Sequence, residues 1–599
     1  MKIFKLNPFK ILLLAVSCLI CSRLQATTYT AIASGWYTTG TIWQGSLVPS
    51  ININADTVII PAGITVKLNQ DLTLTGPGLL RVNGTLSSDT AETDAILNSG
   101  SLEGTGTIDV DSIELDMMTG FDFAGTTKAR KFATRGTIVN SGATFDIAEA
   151  IYARAGSFLI PAGSMNIAND VWVIFMGGMI DFSSFSNINT LGRFNARYHS
   201  RTGNLSTGTE LSETSLKDIE VFVPTGASVV LNSDMTARGS FKIRAGILDL
   251  NGYSLTIGTD GYVAADNRGY ISANPPSSII VNGTNSSLNT INFTAAGNTV
   301  KNLVINMTNS FSSFSVGAEL NVDDTLFLQM GRLLMNNNEL IMAPGSVVSG
   351  GSSSSYVVPG QSGSLRMTLT NGIPATYMVG TTNDFAPAMI MPNNVPSTGS
   401  VGVTVHPAVY VNSTNGEQIG VNQPLVNATW YVKGPAGSNI NIDLEPMWSS
   451  NMEVNGFDKQ KAYVGMYIQG RWDTTNATAV TAQSTGLYSL RRNNIKGYGT
   501  FAIFDQRAKT TDAEVLVYSK QISVFPNPAT SDVMISIENA DLFREAQMFI
   551  TNTAGIVIKR VTINSAQMVL PRNNTPAGLY FYNIYNSNGI IAQGKLHYY

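Results

Sequence analysis

The sequence predicts an all-β protein: a right-handed parallel β-solenoid, then a β-sandwich region and a small C-terminal β-sandwich. Charged residues make up only 13% of the 599 positions while glycine is frequent, at 55, which is typical of strands with small polar outer faces and tight corners. Short segments of alternating apolar residues recur roughly every 20 residues. A Ser/Gly run at 349–355 marks a boundary, after which the strand-like segments are longer. We expect domains at 27–360, 361–508 and 521–599, with a linker at 509–520.

The first 26 residues have the pattern of a secretory signal peptide. Three lysines precede an apolar run, and the segment closes on the small residue Ala26, so we expect cleavage between Ala26 and Thr27. A lipoprotein signal at Cys18 is the less favoured alternative, because Ala stands where a lipobox needs Leu. The apolar run is too short to span a membrane. Both cysteines lie within this segment, so the mature chain is predicted to have neither a disulfide nor a transmembrane span.

Three segments of region 27–360 share a template of Pro-x-Gly, alternating apolar residues, and Asn eight positions after the proline. Alternation with a period of two indicates a strand with one buried face, and Asn or Gly at the joints favours sharp corners. The pattern predicts a coil of stacked rungs, whereas an array of β-sandwiches is the less favoured alternative. The template residues are Pro61 with Asn69, Pro161 with Asn169, and Pro224 with Asn232. The residues expected to point inward in the first segment are Val66, Leu68, Leu72 and Leu74.

A second pair of similar segments, "GILDLNGYSLTI" from Gly246 and "GRLLMNNNELIM" from Gly331, supports the same interpretation. The opening of the region, from Trp36 to about Leu74, resembles the start of secreted eight-glycine β-repeat domains and of many Bacteroidetes surface proteins. Trp43 and the strand that follows Asp56 are expected to form an N-terminal cap, since an uncovered solenoid end would expose an open edge.

Region 361–508 contains longer strand-like segments at the spacing of a β-sandwich. Trp430, Trp448 and Trp472 fall within it. We interpret these residues as core side chains, with an aromatic platform for sugar rings as the alternative.

The C-terminal segment, from about Ser519 to Tyr599, carries four motifs in order. They are Pro526, Asn527 and Pro528 in "VFPNPATSDVMISI", Gly555 in "MFITNTAGIVIKR", Gly578, Leu579 and Tyr580 in "PAGLYFYNI", and Lys595 in "GKLHYY". With these motifs the segment resembles the type A C-terminal sorting domain of the type IX secretion system of Bacteroidetes. The resemblance implies a small β-sandwich that an outer-membrane translocon recognises. It also implies removal by a sortase-like peptidase, which leaves the cargo on the cell-surface lipopolysaccharide or released.

The residues of this segment also support a β-sandwich by themselves. Pro526 and Pro528 withhold N–H donors, which suits the end of an edge strand, and Gly555 and Gly578 allow turns. We expect the strand that begins at Tyr580 to pair with residues 533–537.

Candidate chemistry in the cargo is sparse. Asp109 and Asp111 share one side of a predicted strand and are weak candidates for a metal site, but a solvated strand face is the favoured explanation of the same pattern. A net charge of −4 argues against nucleic-acid binding. No cofactor is predicted. The cluster of Arg193, Arg197, Tyr198 and Arg201 is a weak candidate for binding an anionic glycan, but a loop with ordinary surface arginines is the favoured explanation.

The sequence therefore predicts an exported cell-surface or extracellular protein, most simply a non-catalytic adhesin or glycan-contacting element. A carbohydrate-active β-helix enzyme, either a polysaccharide lyase or a glycoside hydrolase, is the alternative, and a structural coat component is another. Three or more carboxylates, arginines or lysines in one groove on neighbouring rungs would favour the enzyme. A smooth face of Ser, Thr and Asn would favour the adhesin or the coat component.

Overall fold

The computed structural model describes most of the chain after the predicted signal peptide. The described residues are 26–88, 94–97, 99–116, 120–139, 142–183, 188–284, 289–396, 400–435, 440–507, 522–538, 543, 546–586 and 589–599. Signal-peptide residues 1–25 and the predicted linker 509–520 lie outside them. The fold is all-β, as predicted, with 57% strand and 4% helix. One compact unit reaches Thr368 and includes Met378–Thr382, and the other comprises Leu369–Tyr377 and the residues from Asn383 onward.

The first unit is a parallel β-solenoid of about 13 turns, which confirms the predicted fold class. An early turn contains the strands Thr57–Ile60, Thr65–Leu68 and Leu72–Thr75. Each pairs in parallel with its counterpart in the next turn, namely Leu79–Val82, Thr85–Ser88 and Asp94–Leu97. The other strands of this unit are Thr28–Thr30, Gly35–Trp36, Asn52–Asn54, Ser101–Gly104, Thr107–Asp116, Gly120–Phe123, Thr126–Arg135, Ile138–Val139, Thr144–Ala153, Ser157–Leu159, Ser164–Ile167, Trp172–Phe175, Met179–Ile180, Ile188–Thr190, Phe194–His199, Leu205–Ser206, Leu216–Phe222, Ser228–Val230, Met235–Ala237, Ser240–Ala245, Ile247–Asp249, Leu255–Ile257, Tyr262–Val263, Tyr270–Ala273, Ile279–Val281, Thr290–Asn306, Ser313–Val316, Leu320–Leu334, Glu339–Met342, Val347–Gly350, Ser355–Val358 and Ser364–Thr368. Short 3₁₀ helices occupy Gly40–Ile42, Gln44–Ser46 and Thr209–Ser212.

The core of the solenoid is a set of side-chain columns that run from turn to turn. The four residues predicted to point inward, from Val66 to Leu74, are fully buried. One column runs in register through Val66, Leu86, Ile108, Thr127, Phe145 and Met165. Phe145 also meets Phe132 and Phe158 edge to face, with ring centroids 5.3 and 5.4 Å apart. Because strand pairing aligns like positions, the period of two becomes a continuous apolar interior.

The corners depend on small residues and on asparagine. Thr107 N donates to the carbonyl of Gly84 at 2.8 Å, and Thr126 N donates to that of Gly106 at 2.9 Å. A Cβ added at Gly106 would clash with the Gly84 carbonyl oxygen, so neighbouring turns approach too closely there for any side chain.

Asparagines supply other corners, as the repeated segments predicted. Asn251 and Asn336 have positive φ angles of 48° and 49°, a conformation that asparagine tolerates well. Their side-chain amides donate to the preceding turn, at Leu231 O (3.1 Å) and Val316 O (3.2 Å) respectively.

The start of the described chain lies on the first turns of the solenoid. Strand Thr28–Thr30 pairs in parallel with residues 57–59, and Tyr37 N donates to Lys67 O at 2.8 Å. Trp43 is buried, and its indole N–H donates to Tyr37 O at 2.8 Å.

The second unit contains two antiparallel sheets between residues 375 and 505. The first is built from Ser400–His406, Leu425–Lys433, Glu453–Val454, Ala462–Ile468, Arg471–Trp472 and Gly499–Asp505. The second is built from Ala375–Tyr377, Ala388–Asn394, Asn441–Trp448, Thr481–Ala482, Tyr488–Ser489 and Arg492–Ile495. A small hairpin joins Tyr410–Asn412 to Asn415–Gln418, and 3₁₀ helices lie at Ile419–Val421, Ser450–Met452 and Lys459–Lys461.

The three tryptophans of this region are core residues, as the favoured interpretation held. Trp430, Trp448 and Trp472 are at most 2% exposed. Their indole N–H groups donate to Ala386 O, Glu453 Oε1 and Tyr410 O at 2.8–2.9 Å. The buried polar atom of each ring is therefore satisfied.

The C-terminal segment folds as two antiparallel sheets around one core. One sheet has the order Ile522–Phe525, Val533–Ile537, Gln567–Leu570, and the other has the order Val557–Thr562, Gln547–Asn552, Gly578–Asn586, Gly589–Tyr598. Their buried side chains form a single cluster that includes Ile535, Ile550 and Ile584. The expected pairing of the strand at Tyr580 with residues 533–537 was wrong, because the two strands belong to different sheets that face each other across this core. Alternation fixes which side of a strand is buried but does not identify its partner.

Candidate functional site

A groove crosses the outer surface of the solenoid and has a volume of about 750 Å³. Five charged residues on three consecutive turns line it, together with residues from the flanking turns. Its floor is formed by the buried residues Val110, Ala129 and Ile147. The charged residues are Asp109, Asp111, Lys128, Arg130 and Asp146, and the flanking ones include Ser88, Asn166 and Leu191.

Parallel pairing places these side chains in a column. Asp109 pairs in register with Lys128, Lys128 with Asp146, and Asp146 with Asn166. Ser87 precedes Asp109 and Asn189 follows Asn166. Successive positions are therefore one strand spacing apart, about 4.8 Å. Asn166 Nδ2 donates to Asp146 Oδ1 at 2.6 Å, and Asn189 Nδ2 donates to Asn166 Oδ1 at 2.9 Å.

A bend in the long strands builds the other side of the groove. Strand pairing skips Asp111 and Arg130, and an irregularity follows on the next turn at the same place. Arg130 Nη1 lies 3.1 Å from Asp111 Oδ1, and its Nη2 lies 2.7 Å from Glu149 Oε2. The Asp111 side chain is only 8% exposed, so this three-residue arrangement is an ion-paired clasp with one net negative charge and not a free set of ionic groups.

Asp109 and Lys128 differ from the clasp in having no engaged partner. Both side chains are exposed. Among the residues that the structure describes, neither the Asp109 carboxylate nor the Lys128 ammonium makes a hydrogen bond or an ion pair. These two charged groups are therefore available to a ligand, and Asp146, which accepts from Asn166 through Oδ1, is only partly engaged.

The weak metal candidates are brought to this groove. Asp109 and Asp111 both line it, but the Arg130 guanidinium lies beside Asp111. Within the described part of the chain, no group of three or more His, Cys, Asp or Glu side chains could hold a metal ion.

The predicted arginine cluster lies elsewhere on the solenoid and is only partly a surface feature. Arg197 stacks on Trp172, with 4.7 Å from Cζ to the ring centroid, and its Nη2 lies 3.1 Å from Glu220 Oε2. Arg193 lies 3.6 Å from the exposed Asp260, and Arg201 is exposed in the loop that follows Phe194–His199. Among the described residues, Arg193 and Arg201 therefore have different surroundings and do not share a contact that would join them in one cluster.

Tyr198 differs from these arginines because it is a core residue. Its ring is fully buried and its hydroxyl donates to Glu210 Oε1 at 2.6 Å. Burial raises the pKa of the Tyr198 phenol, and burial likewise raises the pKa of Glu210. Tyr198 faces the solenoid interior, so it cannot contact a ligand on the outer surface together with Arg197.

In the C-terminal β-sandwich, the predicted motif residue Asn527 connects the start of the domain to its last strand by hydrogen bonds. Asn527 Nδ2 donates to Lys595 O at 2.7 Å, and His597 N donates to Asn527 Oδ1 at 2.9 Å. Ala529 adds a parallel bridge to Tyr598. The motif around Asn527 therefore fixes the final strand in place.

The other motif residues shape turns and strand ends. Gly555 has a φ of 79° in the turn between Gln547–Asn552 and Val557–Thr562, and Gly578 begins its strand with a φ of 154°. Tyr580 is buried and donates from its hydroxyl to Pro576 O at 2.9 Å. Leu579 is 39% exposed.

A β-solenoid cargo followed by a closed C-terminal β-sandwich defines a class of modular protein, and comparison with known families identifies its terminal module. Residues 523–596 match the family described as the Secretion system C-terminal sorting domain. This sorting domain supports a cargo of the type IX secretion system and implies export to the cell surface or the extracellular space. No curated protein and no solved structure matches the chain. In the described part of the chain, no helix has the length and apolar character needed to cross a membrane.

Sequence reasoning missed the groove residues Lys128, Arg130 and Asp146, and also Glu149, which pairs with Arg130. A signal for three of the column positions was present. Gly-Thr pairs at 84–85, 106–107 and 125–126 occupy the same corner on successive turns, and the third residue after each of these glycines enters the column. Alignment on these pairs would have brought Ser87, Asp109 and Lys128 together.

Proposed function

We propose that this type IX cargo is a non-catalytic adhesin or glycan-contacting protein that binds an extracellular glycan in the solenoid groove. The observation that carries the proposal is the column of carboxylate, ammonium and amide groups, repeated at each turn along an open groove. Such groups donate and accept hydrogen bonds at regular intervals, which suits a chain of sugar residues with repeated hydroxyls. The charged clasp of Asp111, Arg130 and Glu149 supports a preformed binding surface, because its ionic groups are already engaged.

The attachment of the protein to the cell is part of the same proposal. We infer that a sortase-like peptidase removes the C-terminal β-sandwich after export and leaves the cargo on surface lipopolysaccharide. The support is the sorting domain, whose presence implies an interaction with the type IX machinery. Mass spectrometry of the mature protein from native cells tests this: a C-terminus upstream of Ile522 is expected, and an intact Tyr599 on surface-bound protein would contradict it.

Glycan binding is tested by blocking the groove without changing its charge. Ala148 is exposed and lines the groove, so Ala148→Trp should fill it. The matched control is Ala124→Trp, at an exposed alanine outside the groove. We expect the wild-type protein and the control to be retained on a glycan array and in affinity gels. The Ala148→Trp variant should lose retention, and equal binding by all three proteins, or by none, would refute the proposal.

A carbohydrate-active enzyme is the second candidate, because the five charged residues on three neighbouring turns meet the criterion that the sequence set for an enzyme. It stands second because Arg130 is engaged by Asp111 and Glu149, which leaves only Asp109, Lys128 and Asp146 for chemistry. An acid and a base in such an arrangement could serve hydrolysis or elimination. The two functions are separated by incubating each bound glycan with the protein and measuring new reducing ends and unsaturated products. Binding without turnover supports the adhesin, whereas turnover that disappears in both Asp109→Asn and Lys128→Gln supports the enzyme.

A further inference from the structure

We infer that the ligand of the groove is an uncharged, extended polysaccharide that lies along the solenoid axis, and that acidic glycans are excluded. This inference rests on the proposed glycan-binding function and names the class of ligand. It follows from the charge balance of the groove and from the direction of its polar column.

The charge balance of the groove is negative. Three carboxylates, from Asp109, Asp111 and Asp146, line it against the two cations Lys128 and Arg130. Arg130 is engaged by Asp111 and by a fourth carboxylate, that of Glu149. Arg130 therefore has no spare charge to offer a ligand.

Lys128 is the remaining cation, and its position prevents it from acting as an anion site. It pairs in register with Asp109 on one side and with Asp146 on the other, and the backbones of neighbouring strands are about 4.8 Å apart. A uronate or sulfate that reached the Lys128 ammonium would lie close to both of these carboxylates. Like charges repel, so an acidic sugar that pairs with Lys128 loses part of that attraction to the two neighbouring carboxylates.

The same groups suit neutral sugars. The Asp109 carboxylate accepts hydrogen bonds from hydroxyl groups, and the Lys128 ammonium donates to them. Ser88, on the turn before the three charged turns, and Asn166, on the turn after them, add neutral polar groups. A carboxylate without a partner in the free protein is well placed to form charge-assisted hydrogen bonds with a ligand hydroxyl.

The direction of the ligand follows from strand register. The column of Ser87, Asp109, Lys128, Asp146, Asn166 and Asn189 spans six successive turns, or roughly 24 Å at the strand spacing. The groove lining runs from Ser88 to Leu191 and thus covers the same turns. A linear polymer along the axis meets one polar side chain per turn, whereas a polymer across the axis meets few of them.

The test is calorimetric titration of the mature protein with matched neutral and acidic oligosaccharides. The neutral probes are hexamers of glucose, xylose, mannose and N-acetylglucosamine, and the acidic probes are hexamers of galacturonate and mannuronate. We expect binding of at least one neutral hexamer, little effect of added salt on it, and no binding of the uronates. Asp109→Asn should weaken neutral binding about tenfold, because a charge-assisted hydrogen bond is lost. The matched control Asp122→Asn, at an exposed aspartate outside the groove, should leave binding unchanged.

The charge argument is tested separately by Asp109→Lys, which should admit the uronate hexamers with an affinity that falls as salt is added. Tighter binding of uronates than of neutral hexamers by the wild-type protein would overturn the inference while leaving glycan binding intact. Asp109→Lys that still rejects uronates would overturn it as well. Failure to bind any glycan, or binding unaffected by Ala148→Trp, would instead refute the proposed function itself.

Discussion

The solenoid and the sorting domain are both β structures, but they encode their roles in different ways. The sorting domain is an antiparallel sandwich whose residues 523–596 match a known family. The solenoid is a parallel stack, and no curated protein or solved structure matches the chain that contains it. The sorting domain has to be recognised by export machinery that also serves other proteins, so the residues of its motifs are constrained. A solenoid surface needs only correct alternation inside, so its outer residues are free to vary with the ligand.

The two regions also close their structures differently. In the solenoid each turn bonds to the next, as Thr107 N does to Gly84 O, so contacts link residues about one turn apart. In the sorting domain Asn527 bonds to the backbone of Lys595 and His597, about seventy positions later. A local change should therefore remain local in the solenoid and spread through the sorting domain.

The largest effect is expected from removal of the sorting domain. Deletion of residues 523–599 should leave the protein in the periplasm, because the translocon no longer has a domain to recognise. The solenoid should still fold. Cell fractionation and protease accessibility measure this. A full-length variant with Asp122→Asn is the control and should reach the outside normally. If the deleted form still appears on the cell surface, the sorting domain is not required for export.

A core substitution should show how local the solenoid is. Phe145→Ala removes a fully buried ring that contacts three other phenylalanines, at a cost of about 3–5 kcal/mol in the free energy of unfolding. Hydrogen exchange should increase in the turns around residue 145 and stay unchanged in the sorting domain. Val139→Ala, at a side chain that is 50% exposed, should change stability by less than about 0.5 kcal/mol. Uniform loss of protection over both regions would contradict a turn-by-turn architecture.

The solenoid itself could be predicted from sequence because its information is local. Alternation at residues 66–74 fixed the buried face, and asparagines such as Asn251 and Asn336 marked corners that the structure confirms. The sorting domain could be predicted because its motifs occupy known positions. Within each repeat and within each motif, the deciding residues lie within a few positions of each other.

The groove could not be predicted in the same way because it depends on register. Asp109, Lys128 and Asp146 meet only when three turns of unequal length are aligned, and the strand irregularity between Ala129 and Lys131 has no local motif. The wrong partner assigned to residues 533–537 has the same origin. Strand pairing is a long-range property, and alternation alone leaves it open.

Two glycines give the finest contrast between the regions. Gly106→Ala would place a Cβ against the Gly84 carbonyl oxygen. Because a backbone atom cannot rotate away, the two turns must separate, which should lower the free energy of unfolding by about 1–3 kcal/mol or more. Gly555→Ala meets no atom within 4 Å but retains a φ of 79°, so only the left-handed conformation is penalised, by about 1–2 kcal/mol.

Replacement by asparagine separates these two causes. Asn tolerates positive φ, so Gly555→Asn should recover most of the stability lost in Gly555→Ala. Gly106→Asn should be at least as damaging as Gly106→Ala, because its side chain is larger and the obstacle is the neighbouring turn. Denaturant unfolding of the four variants measures both pairs. Recovery at residue 106 would mean that backbone conformation, and not contact between turns, makes glycine necessary at that corner.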